Sequence, residues 1–342
     1  MVPESLLNTN TFASRWRTIR KLKSNFALVV IGCLLVLLAI SWRLAIAPSL
    51  RVVATDIEKT YFYNTTITYY AKPPGQPAPG AEPVPMQVRI DRAILALPLD
   101  STPSTATFQV ETSLVVKDSL ERLWTNTHVY VVDRETGKMV ENKKADRGRS
   151  GYYLFFPFDT PKGSVPFWSE LTDKTYPVKY QKSEVVHNVS TYAFTGKFDN
   201  QAMSEPPDGY PRSLSGAELK AMLSMPDLPV GDATTVEPSY IASGTVELLV
   251  EPRAGTVVRT NGGESVSVAV KGAGGEVIAE RPLYKLEYSQ TNGSVTDAAE
   301  LSADEVSKIK LQFEYIPLGL LVLGILVFLI GAFAGVKKGH HD

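Results

Sequence analysis

Catalysis by a side-chain nucleophile needs a thiol, hydroxyl or amine beside a base, and metal chemistry needs clustered imidazoles, thiolates or carboxylates. The 342-residue sequence offers one cysteine, Cys33, and four histidines, His128, His187, His340 and His341. A lone cysteine excludes an internal disulfide framework and every Cys-based zinc or iron–sulfur pattern. His128 lies in THVYVVD, a strand context, and His187 precedes Asn188 at a turn, so each reads as a surface or packing residue rather than a general base. No G-x-S-x-G, H-E-x-x-H or GxxxxGK[ST] occurs. The runs Gly262-Gly263 and Gly272 to Gly275 superficially match phosphate loops, but strand-forming residues follow them, so both are expected as hairpin turns. Carboxylates are plentiful, and sequence alone cannot pair them across a sheet, which leaves a two-carboxylate acid–base site open at this point. The expectation is no metal, no cofactor and no enzymatic activity.

The densest chemical signal is aromatic. Tyr152, Tyr153, Phe155, Phe156, Phe158, Phe167, Trp168, Tyr176 and Tyr180 place nine aromatic rings within residues 151–180, against 9% aromatics in the whole chain. Such a block either forms core or lines an apolar cavity, with Tyr and Trp turning polar edges toward an amphipathic ligand. All nine are candidate ligand-binding residues.

Elements that position such a block are legible as short β-branched and aromatic runs bounded by Gly, Pro, Asn and Asp, the signature of strands. Expected strands are 50–55, 60–70, 86–96, 106–117, 127–133, 152–156, 178–186, 190–199, 241–251, 256–260, 264–271 and 276–289, enough for a barrel or sandwich. Ser215-Gly-Ala-Glu218 has capping-box spacing and predicts a short helix over 216–225. Ser302-Ala-Asp-Glu305 repeats that spacing and predicts a second helix start. The Pro-rich stretch 73–85 is expected as an exposed loop. One internal echo stands out: VVDRETGKMV (131–140) and LVEPRAGTVV (249–258) share an apolar pair, an acid, turn residues, Gly and a second apolar pair. Each reads as a hairpin with its glycine at positive φ.

Two apolar segments frame this β-rich region. Phe26 to Trp42 is uncharged, and after Arg43 the apolar stretch resumes to Ala47; Tyr315 to Val336 is uncharged throughout. Each is about 22 residues, enough to cross about 30 Å of hydrocarbon as a helix. Arg43 followed by Pro48 is no small-residue cleavage site, so the first segment is read as an uncleaved anchor. Arg15, Arg17, Arg20, Lys21 and Lys23 precede it, and Lys337 and Lys338 follow the second, which by the positive-inside rule puts both termini in the cytoplasm. The expected organisation is a basic tail (1–25), a first span (26–47), an extracytoplasmic β-rich domain (48–313), a second span (314–336) and a tail (337–342). Residues 51–313 hold 27 Lys plus Arg against 33 Asp plus Glu, a net charge near −6. With no concentrated basic surface, nucleic acid is excluded as a partner.

The series VDRETG (132–137), LFFPFDTPK (154–162), PFW (166–168), YPVKY (176–180) and VHNVSTYAF (186–194), with TVELLVEPRAGTVV (245–258), resembles a family of two-anchor actinobacterial envelope proteins, the porin PorA family. That family includes the LmcA lipoglycan-biosynthesis protein. The resemblance implies a mostly β (α+β) fold, an elongated β-barrel-like ectodomain with a short helix, flanked by N- and C-terminal transmembrane helices. It also implies an apolar cavity and a part in cell-envelope biogenesis in the bacterial plasma membrane. The partners it implies are a lipid or lipoglycan, the membrane and an envelope-biosynthesis protein. The expected function is a non-catalytic lipid- or lipoglycan-binding carrier or accessory factor; the alternative is a structural or docking subunit of a larger membrane complex. A channel is disfavoured, because neither apolar helix carries a polar stripe to line a pore. Gly324, Gly331 and Gly335 give the second span small-residue spacing for helix packing.

Overall fold

The computed structural model describes residues 9–71, 83–117, 119–272 and 274–336. Most of the Pro-rich stretch and the tail at 337–342 lie outside the described residues. In chain order the elements are α1 (Thr9–Ser41), α2 (Ala47–Leu50), β1 (Glu58–Tyr69), β2 (Met86–Ala96), β3 (Thr105–Val116), β4 (Arg122–Asp133), β5 (Ser164–Ser169), β6 (Lys174–Val186), β7 (Val189–Ala202) and β8 (Leu214–Ser215). There follow α3 (Gly216–Leu223), β9 (Thr235–Val236), β10 (Ser239–Glu251), β11 (Thr256–Lys271), β12 (Val277–Gln290), α4 (Asn292–Lys310) and α5 (Ile316–Val336). The described residues form two compact units, one from residues up to 51 with those from 307 on, and the other within 52–306.

In the first unit, α1 and α5 pack antiparallel. Glycine is what lets the backbones approach: a Cβ on Gly324 would sit 3.0 Å from the Gly32 carbonyl oxygen, and one on Gly331 would sit 2.8 Å from the Val29 nitrogen. Both helices are long and apolar enough to cross a membrane. A π-helical turn interrupts each, at Trp42–Ile46 and at Leu311–Tyr315. The two turns meet: Trp42 Nε1 donates to the Gln312 carbonyl at 3.0 Å and Arg43 Nη1 to the Phe313 carbonyl at 2.5 Å. Arg43 therefore ends on a backbone oxygen of the neighbouring segment.

The second unit is built on one ten-stranded antiparallel sheet, ordered β4-β3-β2-β1-β12-β11-β10-β7-β6-β5, curled into a half-barrel. Alternation sets its two faces. Tyr63, Thr65 and Ile67 of β1 are buried, whereas the intervening Phe62, Asn64 and Thr66 are outward. The concave face is filled in part by α3, whose Leu219, Met222 and Leu223 pack with Val266, Val268, Val270 and Leu283. The helix starts where its capping box predicted, with the Ser215 hydroxyl accepting from Glu218 N and the Glu218 carboxylate accepting from Ser215 N. It stops at Leu223, two residues short of the expected end, at left-handed Ser224 (φ 53°).

Four expectations are corrected. Residues 50–55 form no strand; Val53 N donates to the Arg134 carbonyl at 2.8 Å, and the Arg134 Nε donates back to the Val53 carbonyl at 2.8 Å. Residues 152–156 make one parallel bridge, Tyr152 to Phe167, rather than a strand, and the partner is β5, an edge strand carrying Pro166 that the sequence reading missed. Gly262-Gly263 is no turn: β11 runs straight through it, because a Cβ on Gly262 would lie 2.6 Å from the Tyr288 hydroxyl and the Thr245 carbonyl oxygen. Finally, α4 begins at Asn292, with the Thr291 hydroxyl accepting from Ser294 N at 3.3 Å. Ser302 is buried in mid-helix, and the Glu305 carboxylate bonds the Thr256 hydroxyl instead of reaching back to a cap.

The internal echo has a structural meaning. Gly137 and Gly255 both sit at positive φ (71° and 72°), and each amide donates to the carbonyl of the acid four residues earlier, Asp133 or Glu251. A Cβ on either glycine would meet the same atom, the Phe156 carbonyl oxygen, at 3.0 Å and 2.1 Å. The two turns thus bracket the aromatic segment, and Phe156 N donates to the Gly255 carbonyl at 2.8 Å.

Candidate functional site

A cavity of about 1280 Å³ occupies the interior of the second unit, larger than an ordinary small-molecule pocket of roughly 300–1,000 Å³. Its walls come from the concave face of the sheet. β1 and β12 supply Tyr61, Tyr63, Ile67, Tyr69, Tyr284, Leu286 and Tyr288, β2 supplies Met86, Ile90, Arg92 and Ile94, and β4 supplies Trp124, His128 and Tyr130. Leu301 and Glu305 of α4 also contribute. The rings are fixed by each other: Tyr63 meets Tyr288 edge-on at 6.0 Å, and Tyr130 stacks on Tyr153 at 5.5 Å.

The nine predicted aromatics divide. Tyr153, Phe155 and Phe167 line the cavity, with Phe155 held against Phe108 at 5.3 Å and Phe167 against Tyr153 at 5.7 Å. Phe156 is fully buried among Val178, Phe194, Leu248 and Val250, with Tyr152 packed on that cluster. Trp168 is core beside Phe108 and Tyr130, and Phe158 packs on the same cluster. Tyr176 stacks on Phe198 at 4.6 Å, and Tyr180 packs edge-on to Tyr192 and Phe194. Tyr152, Phe156 and Phe158 are away from the cavity wall because the two glycine turns clamp the segment at Phe156 and alternate rings face the core. Trp168, Tyr176 and Tyr180 are on β5 and β6 and pack on neighbouring rings and core side chains. The tyrosines of β1 and β12 were missed, although Tyr61-x-Tyr63 and Tyr284-x-Leu286-x-Tyr288 carry the alternation of a one-sided sheet.

The wall also carries many polar and charged groups, among them Lys59, Arg92, Arg122, Glu205, Glu264 and Glu305. Glu264 of β11 faces the cavity, and burial, together with the nearby Asp208 carboxylate, pushes its pKa up to about 7. Burial raises Asp208 as well, while Asn126 Nδ2 donates to it at 3.3 Å. Where the sheet edges β4 and β5 face each other, an ion network spans the gap. Arg149 bonds Asp146 at 2.6 Å and Glu170 at 3.0 Å, and Arg147 bonds Asp173 at 2.8 Å. Burial works against the Asp146 charge, yet hydrogen bonds from Arg149 and His128 bring its pKa down to about 2.

His128 within this network has a contact on each ring nitrogen. Its Nδ1 lies 2.7 Å from Asp146 Oδ2, while Nε2 lies 2.7 Å from Arg147 Nη2. Neutral imidazole satisfies both contacts when Nδ1–H donates to the carboxylate and Nε2 accepts from the guanidinium. The nitrogen that would deprotonate a nucleophile is thereby occupied. Among the described residues no cluster of three His, Cys, Asp or Glu side chains has the arrangement of a metal site.

The arrangement can hold an amphipathic molecule against apolar side chains, phenol edges and charged groups. No curated protein sequence matches the chain. The sequence pattern of one family, described as Porin PorA, matches residues 25–333 and so takes in both apolar helices and the entire β unit; the chain belongs to that family.

Proposed function

We propose that the protein is a membrane-anchored, extracytoplasmic lipid- or lipoglycan-binding protein of cell-envelope biogenesis, acting as a carrier or accessory factor without catalytic activity. The observation that carries the reading is the cavity of about 1280 Å³, whose wall sets tyrosine, tryptophan and aliphatic side chains beside charged ones. An interior of this size, left unfilled by side chains that pack closely everywhere around it, suits a ligand with long apolar parts. Phenols serve such a ligand well, giving ring faces to its tails and hydroxyls to its polar linkages. The antiparallel pairing of α1 with α5 supports two membrane spans with both termini on one side, and the flanking lysines and arginines favour the cytoplasmic side.

The test is native mass spectrometry of the full chain released from a mild neutral detergent, with extraction of whatever co-purifies. The reading expects a discrete lipid adduct on the wild type that is weakened in Phe155→Ala and Trp124→Ala while the circular dichroism spectrum is kept. A wild type without lipid but with a stoichiometric protein partner would replace it with the docking-subunit reading.

A further inference from the structure

The cavity wall carries a cation whose cross-strand partners offer it no acid. Arg92 stands on β2 between Tyr61 of β1 and Thr112 of β3, so its cross-strand partners are uncharged. Ile90 and Ile94 flank it on the same face of the strand and line the cavity with it. Its Nε and Nη2 are buried without a hydrogen-bond partner, and the guanidinium lies over the Tyr153 ring at 4.5 Å. Part of the side chain stays open to the cavity. Glu170 carries the acid charge that reaches Arg92, but it is already engaged by Arg147 at 3.2 Å and Arg149 at 3.0 Å.

A guanidinium cannot escape burial by losing its proton, and an unpaired buried cation is costly. The neighbouring arginines obey the usual rule, each meeting carboxylates at hydrogen-bond distance. Arg92 departs from it at the point where the wall is otherwise tyrosine and isoleucine. Nε and Nη2 form the edge of a guanidinium that presents two parallel N–H groups, the arrangement that grips two oxygens of one oxyanion.

We propose that Arg92 anchors a single anionic group, a phosphate or carboxylate oxyanion, of the amphiphile held in the cavity. The inference rests on the lipid-binding reading and narrows its ligand to anionic amphiphiles. The oxyanion engages the Nε and Nη2 edge as the side chain turns off the Tyr153 ring, and the tails run along the apolar wall past Ile90 and Ile94.

The test uses the full chain in a neutral sugar detergent and three probes: phosphatidylglycerol, a diacylglycerol with the same chains, and inorganic phosphate. Native mass spectrometry reads the bound fraction for the wild type, Arg92→Gln and Arg92→Lys. A charge-assisted pair predicts that the wild type holds phosphatidylglycerol about ten- to a hundredfold more tightly than diacylglycerol. Arg92→Gln should bring phosphatidylglycerol down to the diacylglycerol level and leave diacylglycerol unchanged. Arg92→Lys keeps the charge without the paired edge, so it should fall between them, and it carries the test if Arg92→Gln does not fold. Equal retention of both lipids by wild type and variants would overturn the anchor and leave the cavity reading standing. Absence of both lipids from the wild type would overturn the cavity reading itself. Binding of inorganic phosphate that depends on Arg92, with no lipid bound, would place a free anion at the site and overturn the proposal.

Discussion

Replacing Glu264 with Gln should flatten the pH dependence of folding stability between about pH 4.5 and 7. The carboxyl is carried from its ordinary 4.5 to about 7 by burial and by the neighbouring Asp208 charge. Because the folded pKa lies above the unfolded one, the contribution is fully present below about pH 4.5 and is lost as pH rises to about 7. At about 1.4 kcal/mol per pH unit, that rise amounts to about 3 kcal/mol. Gln mimics the protonated carboxyl in shape and cannot ionise, so the variant lacks this term. Asp208 is raised too and shares the sign, whereas Asp146, held at about 2, acts only at lower pH. The assay is chemical denaturation of the full chain in neutral detergent at half-unit pH steps, followed by near-ultraviolet circular dichroism. The wild type should lose about 3 kcal/mol more than Glu264→Gln from pH 4.5 to 8. Parallel curves for the two proteins would mean that Glu264 ionises in contact with water, and the account of an enclosed cavity wall would fail.

Phe156→Ala should cost about 3–5 kcal/mol, as removal of a fully buried ring does, whereas Phe155→Ala should change lipid retention more than the melting temperature; thermal melts beside native mass spectrometry separate the two. Gly255→Ala forces a Cβ to within 2.1 Å of the Phe156 carbonyl oxygen at φ 72° and should prevent folding or lower the melting midpoint sharply. Gly275→Ala, with nothing near its Cβ at φ 84°, should cost only the backbone strain, about 1 kcal/mol. Arg149→Ala leaves Asp146 and Glu170 short of their buried partner and should destabilise by about 3–5 kcal/mol in the same melts.

Two strands were legible in the sequence, β2 to the residue and β3 within one, because each is a run rich in β-branched and aliphatic residues bounded by proline and turn residues. Elements were lost where a local rule was overridden from a distance. Gly262-Gly263 has the composition of a turn, yet its missing side chains make room for Tyr288 and the β10 backbone in mid-strand. Ser302 to Glu305 has the spacing of a cap, yet Thr291 starts the helix eleven residues earlier and Glu305 is drawn to Thr256. The site was half legible for the same reason. The aromatic density of 151–180 marked a region, but which rings face the cavity depends on Gly137 and Gly255 closing on Phe156 from two distant turns. Arg92 looked like any charged strand residue, since only the register against Tyr61 and Thr112 reveals that no acid meets it.

The family description contains the word porin, and the sheet bears on how this chain could meet a membrane. A membrane-spanning barrel closes on itself and turns an apolar band outward. Here β4 and β5 remain edges, joined through the segment 139–152 by the bridges Val132–Met139 and Tyr152–Phe167 and by the ion network around Arg149. The face opposite the cavity is charged, and in a recurrent way. Arg89–Asp91, Lys182–Glu184, Lys197–Asp199 and Lys285–Glu287 are ion pairs two residues apart on β2, β6, β7 and β12. Spacing of two keeps both partners on one face, and that face alternates with the one carrying Arg92, Phe194 and Leu286. Four such pairs across the sheet would each have to be desolvated in lipid, at several kcal/mol per ion. Water is the medium that face is built for, so the membrane contacts fall to the two apolar helices.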